Sequence, residues 1–246
     1  MLSAGSRWSV RSVPTAVSGL AATAGVVVVL GIACRNGRSS VLVDPLLRTW
    51  SRAWLVPAGV RLQVEGVDHI RPGQAYVVVS NHLSNLDPMV HIAGVPLPMR
   101  FLAMRALFDM PVLGKVMRDI GMIEVDREDP DMRTIRDGTR RALSNGISVL
   151  VYPEGKTSGD GSIDSFHTGA FVLAISNRVP VLPVTLMGTR SVWTPGSNAI
   201  RRGTVRLVIG TPIATDEMAP RDAVALRDDV RGWIVATYLR RDATRA

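Results

Sequence analysis

Short, unbroken apolar runs constrain this chain more than any other feature. "VVVS" at 77–80, "ISVLVYP" at 147–153, "VPVLPVTLMG" at 179–188 and "TVRLVIG" at 204–210 are of strand length, and most lack the polar alternation of a half-exposed strand. A strand that is apolar on both faces needs cover on both faces, as in a parallel sheet lined by helices. Helix-like segments fall between these runs: 88–108, interrupted at Pro96 and Pro98, then 130–145, 168–177 and 219–240. The helix at 130–145 is expected to open at Asp129-Pro130 and close at Asn145-Gly146. "RLQVEGVDHI" at 61–70 and "DIGMIEV" at 119–125 read as further strands. The expectation is an α/β fold: a mostly parallel sheet with helices on both faces, preceded by N-terminal membrane-associated helices.

Those N-terminal helices rest on a second pattern. Residues 17–34, "VSGLAATAGVVVVLGIAC", carry no charge and are just long enough to cross a bilayer. Arg7 and Arg11 precede them, and Arg35 and Arg38 follow. Next comes "VLVDPLLRTWSRAWLVPAGV", where Trp50 and Trp54 sit among Leu, Val and arginines, a composition suited to the headgroup boundary. One span plus an interfacial helix fits this pattern, as do two helices dipping into one leaflet. A buried core helix and a cleaved signal peptide are the other readings of the same run. The expected division is 1–58 as membrane-anchoring helices and 59–246 as the α/β domain.

Composition narrows the partners. The 246 residues are 46% hydrophobic and carry a formal net charge of +8, so a sizeable core and an anionic partner are both expected. Aromatic residues make up only 5%, little material for stacking on single strands, and no nucleic-acid module is recognisable. An anionic lipid surface or a phosphorylated substrate is therefore expected rather than nucleic acid. Cys34 is the single cysteine, which rules out an internal disulfide.

The chemistry-bearing residues sit where the strands end. Ser80-Asn81-His82 follows the 77–79 run, at the end where open α/β sheets place their ligand crevices. Asp87-Pro88 reads as a helix start with Asp at the cap. Two readings of His82 and Asp87 are open: a loop histidine beside a helix cap, or a general base whose tautomer the carboxylate fixes. His91, one helical turn past Asp87, adds a metal reading, but no third ligand with metal-type spacing follows, so no metal site is expected. Asp126-Arg127 lies just past the 119–125 strand, and Glu154-Gly155-Lys156-Thr157-Ser158 just past the 147–153 strand. Arg127 is also readable as a surface ion pair with Glu128 or Asp129, and Glu154-Gly155-Lys156 as a polar turn.

Taken in order, these segments carry a resemblance. "NHLSNLD" resembles the Asn-His-x4-Asp signature of the glycerolipid acyltransferases, the family of 1-acylglycerol-3-phosphate acyltransferase. "GMIEVDR" resembles that family's second block, which ends in an arginine, and "VYPEGKTS" its third, usually Phe-Pro-Glu-Gly-Thr-Arg-Ser. "FHTGAF" fits the segment that follows, and "VPVLPVTLMGT" the hydrophobic fourth block. The blocks span about residues 60–210. One departure stands out: Thr157 occupies the position of the usual arginine, and Lys156 that of the usual threonine. A point charge has taken the place of a bidentate fork and moved one position, which leaves the acceptor more open than the reaction.

The resemblance implies transfer of a fatty acyl group from an acyl thioester to the free hydroxyl of lysophosphatidic acid, in phospholipid biosynthesis. Other acceptors are glycerol 3-phosphate, another lysophospholipid or a lyso-aminolipid; a membrane lipid-binding protein with a vestigial site is the rival of another class. His82 is expected as general base and Asp87 as its orienting partner. Asn81, Arg127, Glu154, Gly155, Lys156 and Thr157 are expected to bind substrate, Arg127 and Lys156 through the acceptor's phosphate. Backbone N–H groups around Gly155 would face the developing oxyanion. No Gly-x-Ser-x-Gly elbow is present, so direct transfer is expected. No cofactor is implied; acyl-CoA or acyl carrier protein would bring the donor. The implied location is the inner (cytoplasmic) membrane, with the catalytic domain facing the cytoplasm.

Overall fold

The computed structural model describes residues 9–35, 39–126 and 131–242. Two helices, α1 (Ser12–Arg35) and α2 (Ser39–Ala58), lead into strand β1 (Val60–Glu65). Then follow β2 (Val77–Ser80), α3 (Asp87–Gly94), β3 (Met99–Met104), α4 (Arg105–Phe108), α5 (Pro111–Asp119) and β4 (Ile123–Val125). The second half runs α6 (Met132–Ser144), β5 (Ser148–Val151), α7 (Gly169–Asn177), β6 (Val181–Met187), α8 (Thr189–Val192), β7 (Gly203–Ile209) and α9 (Ala223–Asp242).

The strands form one seven-stranded sheet in the order β1-β7-β6-β2-β5-β3-β4. β6, β2, β5, β3 and β4 run parallel, while β7 pairs antiparallel to β6 and parallel to β1. The apolar runs explain the centre: every residue of β2 and β5 is buried, as is all of β6 except Met187. Side chains alternate between faces. Val78, Leu150, Leu182 and Val184 pack beneath α2 and α3, with Leu55, Leu86 and Val90. Val77, Val79, Val149 and Val181 face the opposite way, against α6, α7 and α9 through Leu143, Phe171, Ala174, Val230 and Ile234. Each fully buried Val or Leu contributes about 1.5–3 kcal/mol of transfer free energy, which makes this double layer the main stabilising element.

Two segments depart from the expectations. The stretch expected as an interrupted helix over 88–108 holds only α3 and the single turn α4; between them, Met99–Met104 is a strand inserted between β5 and β4. Its Met, Leu and Ala are good helix formers, and Arg100 hides the strand pattern. Arg100 is nonetheless buried: Nε donates to the Ile120 carbonyl at 2.6 Å and Nη1 to Asp44 on α2 at 2.8 Å. The segment expected as a strand from 119 is shorter, because α5 runs to Asp119 and β4 begins only at Ile123. Asp129-Pro130, the expected opening of α6, lies outside the described residues; Asp131 caps that helix by accepting from Arg133 N.

The N-terminal helices pack on each other and on the domain. Gly19 lets α1 lie directly against the Trp54 ring, and Trp50 Nε1 donates to Thr23 Oγ1 at 2.8 Å. Leu30, Val43 and Leu47 join a third apolar cluster with Ile92, Phe108, Val116 and Met117. α1 is also the one helix among the described residues long and apolar enough to cross a membrane, Ser12–Cys34 with mean hydropathy 2.2.

The turn after β1 gives a stability test. Gly66 has φ +76°, and a Cβ there would run into the Ile209 carbonyl oxygen of the neighbouring strand. Gly66→Ala is expected to cost about 2–4 kcal/mol, from left-handed strain plus steric overlap. Urea unfolding checks this; a loss below about 0.5 kcal/mol would show that the β1–β7 edge moves freely.

Candidate active site

β2 and β5 are hydrogen-bonded neighbours in register, Val79 opposite Val151. Their carboxyl ends therefore release "SNH" and "YPEG" side by side. His82 N donates to Glu154 Oε1 at 2.7 Å, and Ser158 N donates to the His82 carbonyl at 2.8 Å. The backbone of His82 is thus held by the third block on both its N–H and its C=O. The other Glu154 oxygen accepts from Asp164 N at 2.9 Å, which folds the 155–163 loop back over the strand ends. Burial, opposed by these hydrogen bonds, pushes the Glu154 carboxyl above its ordinary value.

Asp87 was expected to cap α3. It instead opens the helix as its first residue, with Leu86 in the cap position, and turns its carboxylate back onto the preceding loop. Oδ2 accepts from Leu83 N at 2.6 Å, from Ser84 N at 2.8 Å and from His82 Nδ1 at 2.8 Å. Two fixed amides hold the oxygen, and the oxygen holds the imidazole. Because Nδ1–H donates to a carboxylate, the lone pair of the neutral ring lies on Nε2. Nε2 faces Thr157 Oγ1 at 3.1 Å, so the Thr157 hydroxyl donates to it.

Sequence reasoning missed what lies on the face of this ring. Tyr152 stacks on His82, with centroids 4.1 Å apart and planes at 14°. The Tyr152 hydroxyl lies 3.2 Å from His91 Nδ1, and that nitrogen donates to the Asp87 carbonyl at 2.8 Å. His91, which the sequence offers only as a metal ligand without partners, is fully buried and links the stacking tyrosine to the helix turn that carries Asp87. The signal for Tyr152 was present, since tyrosine stands where the third block usually has phenylalanine.

The remaining expected residues fall in different places. Asn81 is fully buried and spent on β6: Nδ2 donates to the Leu186 carbonyl at 3.0 Å and Oδ1 accepts from Leu186 N at 2.8 Å. Its amide extends the sheet by one pair rather than lining the crevice. Gly155 takes φ +71° in the tight turn after β5, and its own N–H is used on the Tyr152 carbonyl. Lys156 is turned outward, its side chain 68% exposed and paired with Asp164 at 3.3 Å. Arg127 lies outside the described residues. Asp126 beside it follows β4, which the sheet order sets three strands from β2, about 14 Å at the usual spacing. Arg190 on α8 was not anticipated; it donates to the Ser158 and Gly159 carbonyls and fixes the loop. Among the described residues no cluster of three His, Cys, Asp or Glu side chains is placed to hold a metal.

A histidine oriented by a buried carboxylate, at the mouth of two parallel strands, is a site built for proton transfer to and from a reacting oxygen or sulfur. The chain belongs to the Acyltransferase family, whose profile matches residues 61–187, just over half of its length. A chloroplastic 1-acyl-sn-glycerol-3-phosphate acyltransferase of Arabidopsis thaliana is 33% identical over 173 residues, 68% of this chain and 48% of the relative. The human 1-acyl-sn-glycerol-3-phosphate acyltransferase alpha is 30% identical over 182 residues, 73% and 64%. The chain thus spans about half to just under two thirds of these relatives. The crystal structure of the 1-acyl-sn-glycerophosphate acyltransferase PlsC of Thermotoga maritima shares the fold, with TM-score 0.72 at 21% identity over 93% of this chain and 98% of that one.

His91 makes stability depend on pH. Burial lowers its pKa from 6.5 to about 4, outweighing the raising effect of the Asp87 carbonyl and carboxylate. Between these values the unfolded chain binds a proton that the folded one does not, so stability falls as pH drops from 6.5 towards 4. His91→Phe should flatten this slope, read as the urea midpoint against pH. An identical slope in both proteins would mean that His91 is protonated when folded.

Proposed function

We propose that the protein transfers a fatty acyl group from an acyl thioester to the free hydroxyl of lysophosphatidic acid. The observation that carries this reading is the His82–Asp87 pair, with the Nε2 lone pair turned towards the loop of the third block. The relatives, 1-acyl-sn-glycerol-3-phosphate acyltransferases by name, support the acceptor. The acceptor's hydroxyl displaces the Thr157 hydroxyl at Nε2 and gives up its proton there. Its oxygen attacks the thioester carbonyl, the C–S bond breaks, and the imidazolium returns the proton to the departing thiolate. Asp87 stabilises the imidazolium while it lasts. Amides of Lys156 and Thr157, for which no acceptor is found among the described residues, are the candidates to face the oxyanion. Arg127 is the proposed cation for the acceptor's phosphate. The thioester carries its own activation, so the reaction calls for no cofactor, and the donor is acyl-CoA or an acylated carrier protein.

A second acceptor is favoured by one observation. Thr157 replaces the usual arginine, and Lys156 is engaged with Asp164 rather than turned to His82. That arrangement suits an acceptor with less charge beside the reacting hydroxyl, such as another lysophospholipid or a lyso-aminolipid. His82→Ala should lower transfer about 10²–10⁴-fold in the detergent-solubilised protein while leaving it folded. Parallel assays with lysophosphatidic acid and other acceptors decide the substrate, and undiminished transfer by His82→Ala would remove the mechanism.

The same reading places residues 1–58 as the anchor and 59–246 as the catalytic unit, at the cytoplasmic face of the inner membrane. α1 leaves Val13, Val17, Leu20, Val28 and Ile32 exposed on one side, an apolar face suited to lipid. Its other side is tied to the domain near both ends: Ser12 Oγ accepts from Ile200 N, and Leu30 is buried in the cluster that holds Ile92, Phe108 and Val116. A helix fastened near both ends to the catalytic domain is the arrangement of one lying in one leaflet rather than crossing two. Full-length protein should float with anionic liposomes, and Val17→Asp with Leu20→Asp should release it into the soluble fraction. Unchanged flotation of that double variant would overturn this placement.

A further inference from the structure

The loop that follows β5 supplies more than a wall to the site. Asp87 Oδ2, His82 Nδ1, His82 Nε2 and Thr157 Oγ1 form an unbroken line of hydrogen bonds, 2.8 Å at one end and 3.1 Å at the other. A hydroxyl within hydrogen-bond reach of a base, the base itself oriented by a third group, is the arrangement that makes an alcohol side chain nucleophilic. It is recognised by geometry and roles, not by sequence order or by a particular elbow motif. The sequence carries no such elbow, and threonine appears here only because the third block departs from its usual arginine.

The surroundings suit that role. The Thr157 position is fixed on both sides: Gly155 N donates to the Tyr152 carbonyl just before it, and Ser158 N donates to the His82 carbonyl just after it. Arg190 holds the carbonyls of Ser158 and Gly159 from α8. On the ring side, Tyr152 stacks on His82 and keeps the imidazole in the plane that aims Nε2 at Oγ1. His82 is buried, at 9% exposure, while Thr157 is half-buried. Thr157 thus stands where an acceptor's hydroxyl must stand, and it is already hydrogen-bonded to the base.

We propose that Thr157 is itself an acyl acceptor, and that the protein hydrolyses acyl thioesters through an O-acyl-Thr157 ester when no lipid acceptor is bound. This rests on the thioester donor of the transfer reading. In the first half, Nε2 takes the Oγ1 proton as Oγ1 bonds to the thioester carbonyl carbon. The C–S bond breaks and the imidazolium protonates the thiolate, leaving free thiol and the threonine ester. In the second half, water enters at Nε2, loses a proton to it and attacks the ester carbonyl. Oγ1 leaves and regains the proton, and free fatty acid departs. No oxidant, reductant or metal enters the balance.

The test uses full-length protein in detergent with a long-chain acyl-CoA and no lipid acceptor. Free thiol is followed with time, and acid-quenched protein is digested and weighed for an acyl increment on the Thr157 peptide. Wild-type protein and Thr157→Ser should release thiol; Thr157→Val, nearly isosteric but without the hydroxyl, should release it at least ~100-fold more slowly. The increment should be absent from Thr157→Val and from His82→Ala. Where the ester turns over too quickly to accumulate, the Thr157→Val rate decides. Thiol release by Thr157→Val at the wild-type rate would overturn the proposal, because water would then be attacking directly. Transfer to lysophosphatidic acid is measured beside it. Wild-type protein that transfers to the lipid but neither releases thiol without it nor carries the ester would remove the role of Thr157 and leave the transfer reading standing. Wild-type protein that does none of these would remove both.

Discussion

The parallel pairing of β2 with β5 is the constraint on which the site depends. Parallel strands must both end on the same side of the sheet, and their register sets which residues leave it together. With Val79 opposite Val151, the chain delivers His82 beside the Tyr152–Glu154 turn without any long loop having to find it. The contacts that follow are short consequences of that register: Glu154 on the His82 amide, Tyr152 on the ring, and Thr157 on Nε2. A slip of one residue would invert every valine of β2 between two apolar layers and separate all three contacts at once. The buried faces of the strands therefore protect the site's geometry more firmly than the loop contacts do.

Asp87 shows how a carboxylate is kept useful in a buried place. It is fully buried, and a bare charge there would be costly, but Oδ2 accepts two backbone amides and the imidazole. The amides belong to Leu83 and Ser84, which lie between the two members of the pair, so the five-residue spacing is itself the holding device. His91 extends the arrangement by one turn of α3, bonding the Asp87 carbonyl and reaching the Tyr152 hydroxyl. The helix pair at the N-terminus bears on the same unit. α2 packs over α3 through Leu55, Leu86 and Val90, and Asp44 on α2 holds Arg100 of β3.

The parts legible in the sequence were those whose signal is local. β2, β5 and β6 announce themselves because strands covered on both faces have no reason to alternate. β3 does not, since Arg100 in a Met-rich stretch reads as helix until the Ile120 carbonyl and Asp44 are known to satisfy it. His82, Asp87 and Glu154 were legible as residue types at strand ends. Their companions were not: Asn81 bonds Leu186, 105 residues away, and the direction of a loop hydroxyl such as that of Thr157 follows from no periodicity. Arg127 is assigned by the pattern of the second block alone.

The swap of lysine and threonine in the third block becomes intelligible as a matter of charge near the base. In the proposed transfer His82 becomes a cation, and a fixed guanidinium about 4 Å away would oppose it by roughly 4 kcal/mol at an effective dielectric of 20. A phosphate held by that guanidinium would offset the repulsion, so an arginine beside the base is well matched to a phosphorylated acceptor in place. Thr157 removes the need for that compensation. A neutral hydroxyl faces Nε2, and the one cation of the segment, Lys156, is directed to Asp164 in solvent. Glu154, raised by burial, sits against the His82 backbone and adds no positive charge. The third block therefore sets no cation against the His82 ring in this chain. On the proposed mechanism, that neutral setting is what would let an oxygen other than the lipid's, that of Thr157 included, reach the thioester.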